Sequence, residues 1–539
     1  MKKINILLTI LIIICNSCGE EFLETSAYDS KVIGTFYKTP KDALEALAAA
    51  YDPIRWDYSN HIVLISEIAS DNCFGAARYT DDDRLQVWDN FDGTLYPDPH
   101  SEPYEKNYTG IYRVNILLEN LDNVDWGDEP NLRSRYESEA KFLRAYYYFD
   151  LVRLWGNISL VKEVIDVENL NIEQADPKDV YAFIAEDLKF AIENLSAIPY
   201  SSMPADEGGR VTKWAAEALM GRVFLYYTGY YKQTDLAGIV TKTDVQGYID
   251  DVILNSEHDL VPNYAHLWKQ AGDDFVGEDN IETVFAIKYT HLGLGDFDKH
   301  YGNNWQVMIS PIDQIYGSYA NGWGGASVNP ALYHEWDPED SIRRNATIIG
   351  WVEEGIDYDY SQIKEYTGYN WKKFVPLAID GVHTTVDLGA NYMIDNPDDK
   401  PEIRYSDVLL MGAELFLDSD PGKALGYFNR VRDRAYIDDQ HREASLTFQT
   451  IMDERRWEFA LEGLRYWDLL RQGLDVAKAT IDWNSSSPYY NEVIYRYDGN
   501  VERIKDIDFR VETGGLFSIP LSEINLSEGV VLQNPGWDE

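Results

Sequence analysis

Eight stretches of the chain repeat apolar residues at the three- and four-residue spacing of an α-helix, and neighbouring stretches pair off at the two ends. Thr39-Pro40-Lys41-Asp42 is a helix start: Thr39 suits the cap, Pro40 the first turn and Asp42 the positive end of the helix. Leu44, Leu47, Ala48 and Tyr51 continue it. Ile111, Val114, Leu118 and Leu121 mark a second helix, and Ala140, Leu143, Tyr147 and Leu151 a third, within Glu139 to Val152. Asp176-Pro177 opens a fourth, striped by Val180, Ile184, Leu188 and Leu195, and Gly209-Arg210-Val211-Thr212 precedes a fifth. The last three are expected at about Arg404 to Leu417, Pro421 to Ala435 and Phe448 to Arg471. Small residues recur at close-contact positions, which suggests tetratricopeptide-like packing, although no exact repeat of roughly 34 residues is visible.

Between these ends, residues 293–396 are rich in Gly, Asn, Asp and aromatics and read as long loops, which in a compact protein are usually functional. Val284-Phe285-Ala286-Ile287 and Leu516-Phe517-Ser518-Ile519 are short strand candidates. Met1-Lys2-Lys3 and an apolar run from Ile4 to Ile14 form a signal peptide, since a spanning helix needs roughly 20 apolar residues. Cys18 follows the small residue Ser17 and is the expected site of acylation; Glu20 and Glu21 come directly after it. A net charge of −45, or −47 once Lys2 and Lys3 leave with the signal, repels phosphate backbones and argues against nucleic acid. After Cys18 the only cysteine is Cys73, so neither an intrachain disulfide nor a cysteine metal cluster is expected.

Several motifs then become recognisable in order. Glu139-Ala140-Lys141-Phe142-Leu143-Arg144-Ala145-Tyr146-Tyr147-Tyr148-Phe149 precedes Leu154-Trp155-Gly156. Further on stand Arg404-Tyr405-Ser406-Asp407, Asn429-Arg430-Val431-Arg432, and Glu454-Arg455-Arg456 before Glu462-Gly463-Leu464-Arg465-Tyr466-Trp467-Asp468. Ile519-Pro520 and Gln533-Asn534-Pro535-Gly536-Trp537 close the series. The set resembles the SusD/RagB family of outer-membrane nutrient-binding lipoproteins of Bacteroidetes. Departures fall at packing and turn positions: Ser159 where the family usually has proline, and Trp336 where Phe is common.

The resemblance implies a mostly α-helical fold with a tetratricopeptide-like helical-pair scaffold and a loop-rich, partly β subdomain. It divides the chain into a signal peptide (1–17), a tether (18–38), an N-terminal helical region (39–280), a ligand-binding insertion (281–400) and a C-terminal helical region (401–539). It also implies lipid anchoring at the outer face of the outer membrane. The implied partner is a SusC-like TonB-dependent transporter, over whose mouth the lipoprotein acts as a lid that delivers captured oligosaccharide. A peptide-capturing, RagB-like role is the alternative, and a surface glycoside hydrolase a more distant one.

No His-Glu-x-x-His, Gly-x-Ser-x-Gly or phosphate loop is present, the histidines lack a ligand spacing, and neither cofactor nor metal is expected. Glu454, Glu458 and Glu462 share one expected helix face, whereas glycosidase carboxylates flank a sugar across roughly 5–9.5 Å. They read as structural ion pairs with Arg455, Arg456 and Arg465. Sugar binding instead needs flat aromatics for the apolar ring face and planar or charged groups for the hydroxyls. Two segments supply this mixture. The first holds Trp56, Tyr58, Arg78, Tyr79, Arg84, Trp88, Asn90 and Tyr96; the second holds Tyr301, Asn303, Asn304, Trp305, Tyr316, Tyr319, Asn321 and Trp323. The expected binding residues are Arg84, Trp88, Asn90, Tyr301, Trp305, Tyr319 and Trp323. Plant and algal polysaccharides, ulvan included, stay open as ligands, since a local cluster such as Arg78 and Arg84 can overrule net charge.

Overall fold

The computed structural model describes residues 36–56, 61–165, 171–268, 277–293, 301–497, 500–502 and 506–537. The expected signal peptide, Cys18 and Tyr58 lie outside the described residues. The helical pairs are present. Helices α1 (Pro40–Tyr51), α2 (Ser101–Asn120), α3 (Pro130–Trp155), α4 (Pro177–Asn194), α5 (Lys213–Tyr230) and α6 (Lys242–Asn255) pack each on the next. Helix α1 starts as its sequence dictates: the Thr39 hydroxyl accepts from the Asp42 amide, and the Asp42 carboxylate accepts from the Thr39 amide at 2.9 Å. Thr241 and Asp244 build the same box on α6, a helix that its sparse stripe had hidden.

Strand β1 (Thr283–Ile287) pairs antiparallel with β2 (Lys400–Arg404), setting Phe285 opposite Ile403. This pair returns the chain to the helices after the irregular middle. There α7 (Tyr405–Phe416) packs on α6, and α8 (Pro421–Tyr436) and α9 (Phe448–Glu458) pack on α7. Helix α10 (Arg465–Gln472) lies on α5. The middle is built of short helices and small hairpins, such as Ile348–Gly350 with Tyr369–Trp371. One continuous apolar core runs through both parts, from Tyr147 and Tyr148 on α3 to Trp305, Trp351 and Trp371 in the middle. No helix among the described residues is long and apolar enough to cross a membrane.

Three expectations are corrected. Leu516 to Ile519 forms no strand; Phe517 donates a hydrogen bond to the Leu154 carbonyl at the end of α3 instead. Phe448 to Arg471 is two helices, not one. The buried Glu67 carboxylate accepts from the amides of Leu461 (3.1 Å) and Gly463 (2.8 Å), taking donors that a continuous helix would use. Gly463 has φ +84°, and a Cβ there would stand 2.8 Å from Val63 Cα. The break also changes the partners of the three glutamates. Glu454 pairs with Arg343 and Arg432, Glu458 with Arg343, Arg404 and Arg434, and Glu462 with Arg404 and Lys373. Arg455 turns to Asp407 and Asp468, while Arg456 and Arg465 both meet Asp71.

Candidate functional site

Residues 73–79 run as an extended segment between two others. Phe74 donates its amide to the Ser327 carbonyl, and Ala326 donates to Ala76, on one stretch. Lys364 donates to Ala77, and Tyr79 to Gln362, on the other. The loop Gly322–Gly325 folds back on residues 307–311 through four main-chain hydrogen bonds, including Trp323 N–H to the Val307 carbonyl at 2.8 Å. Only glycine fits the first position, where a Cβ would lie 2.4 Å from the Val307 oxygen. Trp323, within this loop, is half-buried.

Side chains lock the three segments together. Arg78 reaches both the Gln362 amide oxygen and the Asp313 carboxylate, and the Asp313 amide donates to the Gly322 carbonyl at 3.1 Å. Arg84 grips Asp82 with two hydrogen bonds of 2.9 Å, donates to the Tyr96 hydroxyl at 3.1 Å and lies 5.0 Å from that ring's centre. Those bonds hold the Asp82 carboxyl below its ordinary range. Buried Lys364 pairs with Asp83. A row of rings leads outward here: buried Trp351 stacks on Tyr358 (4.1 Å, 3°), Tyr358 faces Tyr366 (6.1 Å, 25°), and Tyr366 stacks on half-buried Tyr360 (4.0 Å, 7°). Burial pushes the Tyr366 hydroxyl up to about 12, so this phenol stays neutral at physiological pH.

The surface therefore carries Tyr79, Trp323, Tyr360 and Tyr366 as half-buried rings among Arg78, Arg84, Gln362 and several aspartates. Flat apolar faces set among fixed donors and acceptors match both sides of a pyranose ring, and the hydroxyls of a sugar pair well with charged acceptors. Of the expected binding residues, Arg84 and Trp323 lie here. Trp88 does not: it is fully buried, packed on His100 and Phe517 at 4.7 and 4.8 Å. Trp305 is also fully buried, stacked on His61 and edge-on to Trp371. Neither indole has a face to offer, which corrects the expectation for both. Asn90 is half-buried and spends its amide on the Gln86 carbonyl and the Asp89 carboxylate. Tyr301 sits under Arg55, in the 3-10 turn that follows α1 (4.9 Å). Tyr319 is 5% exposed, donates to Glu354 and lines a separate cavity of about 610 Å³ with Trp268, Asn345 and Lys372.

Tyr360, Gln362 and Tyr366 were missed from the sequence. Their signal, alternating aromatic and polar residues in Tyr358-Asp359-Tyr360-Ser361-Gln362, is present but lies far along the chain from Arg78. Two further cavities, of about 370 and 350 Å³, flank Gly208–Arg210 and include none of these rings.

Family models match two long parts of the chain: "SusD family" over residues 349–537 and "Starch-binding associating with outer membrane" over residues 22–225. The chain belongs to the SusD/RagB family. Among curated relatives, a SusD-like protein of Bacteroides ovatus is 27% identical over 472 residues, covering 84% of this chain and 79% of its own. SusD-like protein P25 of Formosa agariphila is 25% identical over 516 residues, covering 88% and 90%. A solved structure described as a laminarin-binding SusD-like protein superposes with a TM-score of 0.74 at 25% identity, covering 93% of this SusD-family chain and all of that one. The mostly helical fold expected from the motifs is thus the fold of the family.

Proposed function

We propose that this SusD-family chain is a non-catalytic, cell-surface glycan-binding protein of the outer membrane. The observation that carries the reading is that Arg78 ties its own segment to Asp313, beside the loop of Trp323, and to Gln362, beside the stacked rings of Tyr360 and Tyr366. Its similarity to a laminarin-binding SusD-like protein supports an oligosaccharide as the ligand. The relatives it matches are named for glycan binding and not for cleavage, which supports the non-catalytic reading. Acylation of Cys18 would tether the protein, and handover to a SusC-like TonB-dependent transporter is the step that the family resemblance implies.

Affinity electrophoresis on a glycan panel tests the binding. Wild type is expected to be retarded by at least one glycan, and Trp323→Ala with Tyr360→Ala to lose about tenfold or more in affinity, or about 1.4 kcal/mol. Unchanged retardation of that variant would show the surface to be the wrong one. Release of reducing ends by the purified protein would refute the non-catalytic reading.

A further inference from the structure

Resting on the glycan reading above, we infer that this surface selects an uncharged glycan and rejects sulfated and uronic acid polymers. The three segments that build it, residues 76–84, 310–325 and 356–366, contain three cations, Arg78, Arg84 and Lys364. Each is committed to a carboxylate of the same surface: Arg78 to Asp313, Arg84 to Asp82 through two bonds of 2.9 Å, and Lys364 to Asp83. The segments also contain the aspartates Asp81, Asp357 and Asp359, so three positive charges stand among six aspartates; burial keeps Glu365 out of that count. Glu365 is buried and the three aspartates are exposed.

An incoming sulfate or uronate must therefore break an existing ion pair and also approach a net charge of the same sign. Two like charges a few Å apart near a protein surface repel strongly, because the protein side of the boundary screens far less than bulk water. Screening by salt reduces this repulsion but does not reverse it. Neutral hydroxyls meet the opposite situation. They donate to carboxylates, and charge-assisted hydrogen bonds of this kind are stronger than those between neutral groups. The arginines, which look in the sequence like a basic cluster, orient the aspartates and leave the anion-binding role empty.

The test compares laminarin, xyloglucan, sulfated laminarin and polygalacturonate in native gels at low and moderate salt, using the mature chain. Retardation by a neutral glycan, with at least tenfold weaker binding of its sulfated counterpart, is the expected result. The variant Asp82→Asn/Asp313→Asn releases both guanidiniums and should gain affinity for sulfated laminarin, with the gain falling as salt rises. Wild type that binds sulfated laminarin or polygalacturonate as tightly as any neutral glycan overturns the inference while leaving the glycan reading intact. Failure to bind any of the four polymers overturns the glycan reading, and the inference with it.

Discussion

Replacing Glu458 by glutamine should cost the fold about 3–5 kcal/mol, because the carboxylate balances a buried network that has no other charge to spare. The network joins Arg343, Arg404, Arg432, Arg434 and Lys373 to the buried acids Asp340, Glu282, Glu454, Glu458 and Glu462, five cations against five anions, with exposed Glu443 at its rim 4.0 Å from Arg432. Among the five acids, Glu458 is the one that meets three guanidiniums, on the middle region, on β2 and on α8. It is fully buried, as is Arg343. Glutamine keeps the shape but leaves one excess positive charge in the core and turns an amide N–H₂ towards donors. Against a total stability of about 5–15 kcal/mol, the loss is a large fraction. With an m-value near 3 kcal/mol/M, the urea midpoint should fall by about 1–1.7 M. The acid limb supplies a second reading. Burial alone would raise the Glu458 pKa, but Arg434, Arg404 and Arg343 overcome it and hold the carboxyl well below its ordinary range. Its folded pKa is thus below the unfolded one, so its stabilisation is present above about pH 4.5 and is lost as pH falls through the folded value. The variant should show a shallower loss of stability on acidification. A fall of less than about 1 kcal/mol at an unchanged m-value would refute the argument.

Trp88→Ala should lower stability by about 3–5 kcal/mol, as for other buried aromatics, and leave the glycan affinity of the folded fraction unchanged. Lost affinity with retained stability would return Trp88 to the binding site. Gly463→Ala should destabilise by at least about 1 kcal/mol in thermal melts, since it sets a Cβ at φ +84° against Val63. Burial pushes the Glu217 carboxyl up to about 8 against the pull of Lys213. With the folded pKa above the unfolded one, stability falls as pH rises from about 4.5 to about 8. Glu217→Gln should flatten that slope, and equal slopes in the two proteins would count against the assignment.

The scaffold was readable because each helix states its own limits locally. Thr39 with Asp42, and Asp176 before Pro177, need no distant partner to start a helix. The end of α9 was not readable, because the acceptor that takes its donors, Glu67, comes from a segment almost four hundred residues earlier. The binding surface divides in the same way. Trp88 and Trp305 lie among polar neighbours, which in a linear sequence is the mark of an exposed ring. Here those neighbours are buried too: His61, Asn303 and Gln306 around Trp305, and Asp89 and His100 around Trp88. Polar company therefore locates a ring at the surface only when the company itself is solvated, and only the folded chain reveals that.

The same distinction governs the charge of the surface. Arg84 and Asp82 are two residues apart, and their pairing is local enough to be anticipated. Arg78 finds Asp313 across 235 positions, so the sequence shows an uncommitted guanidinium where the fold shows a neutralised one. Without that long-range pair, Arg78 and Arg84 would make a plausible anchor for a sulfated polymer. With it, the exposed groups able to meet a ligand are mainly acceptors, beside rings. A ligand that satisfies both must present hydroxyl donors together with an apolar face and no negative charge of its own. A neutral hexose chain has all three properties. Specificity in this chain thus rests as much on the aspartates that occupy its arginines as on the aromatics that would touch the sugar.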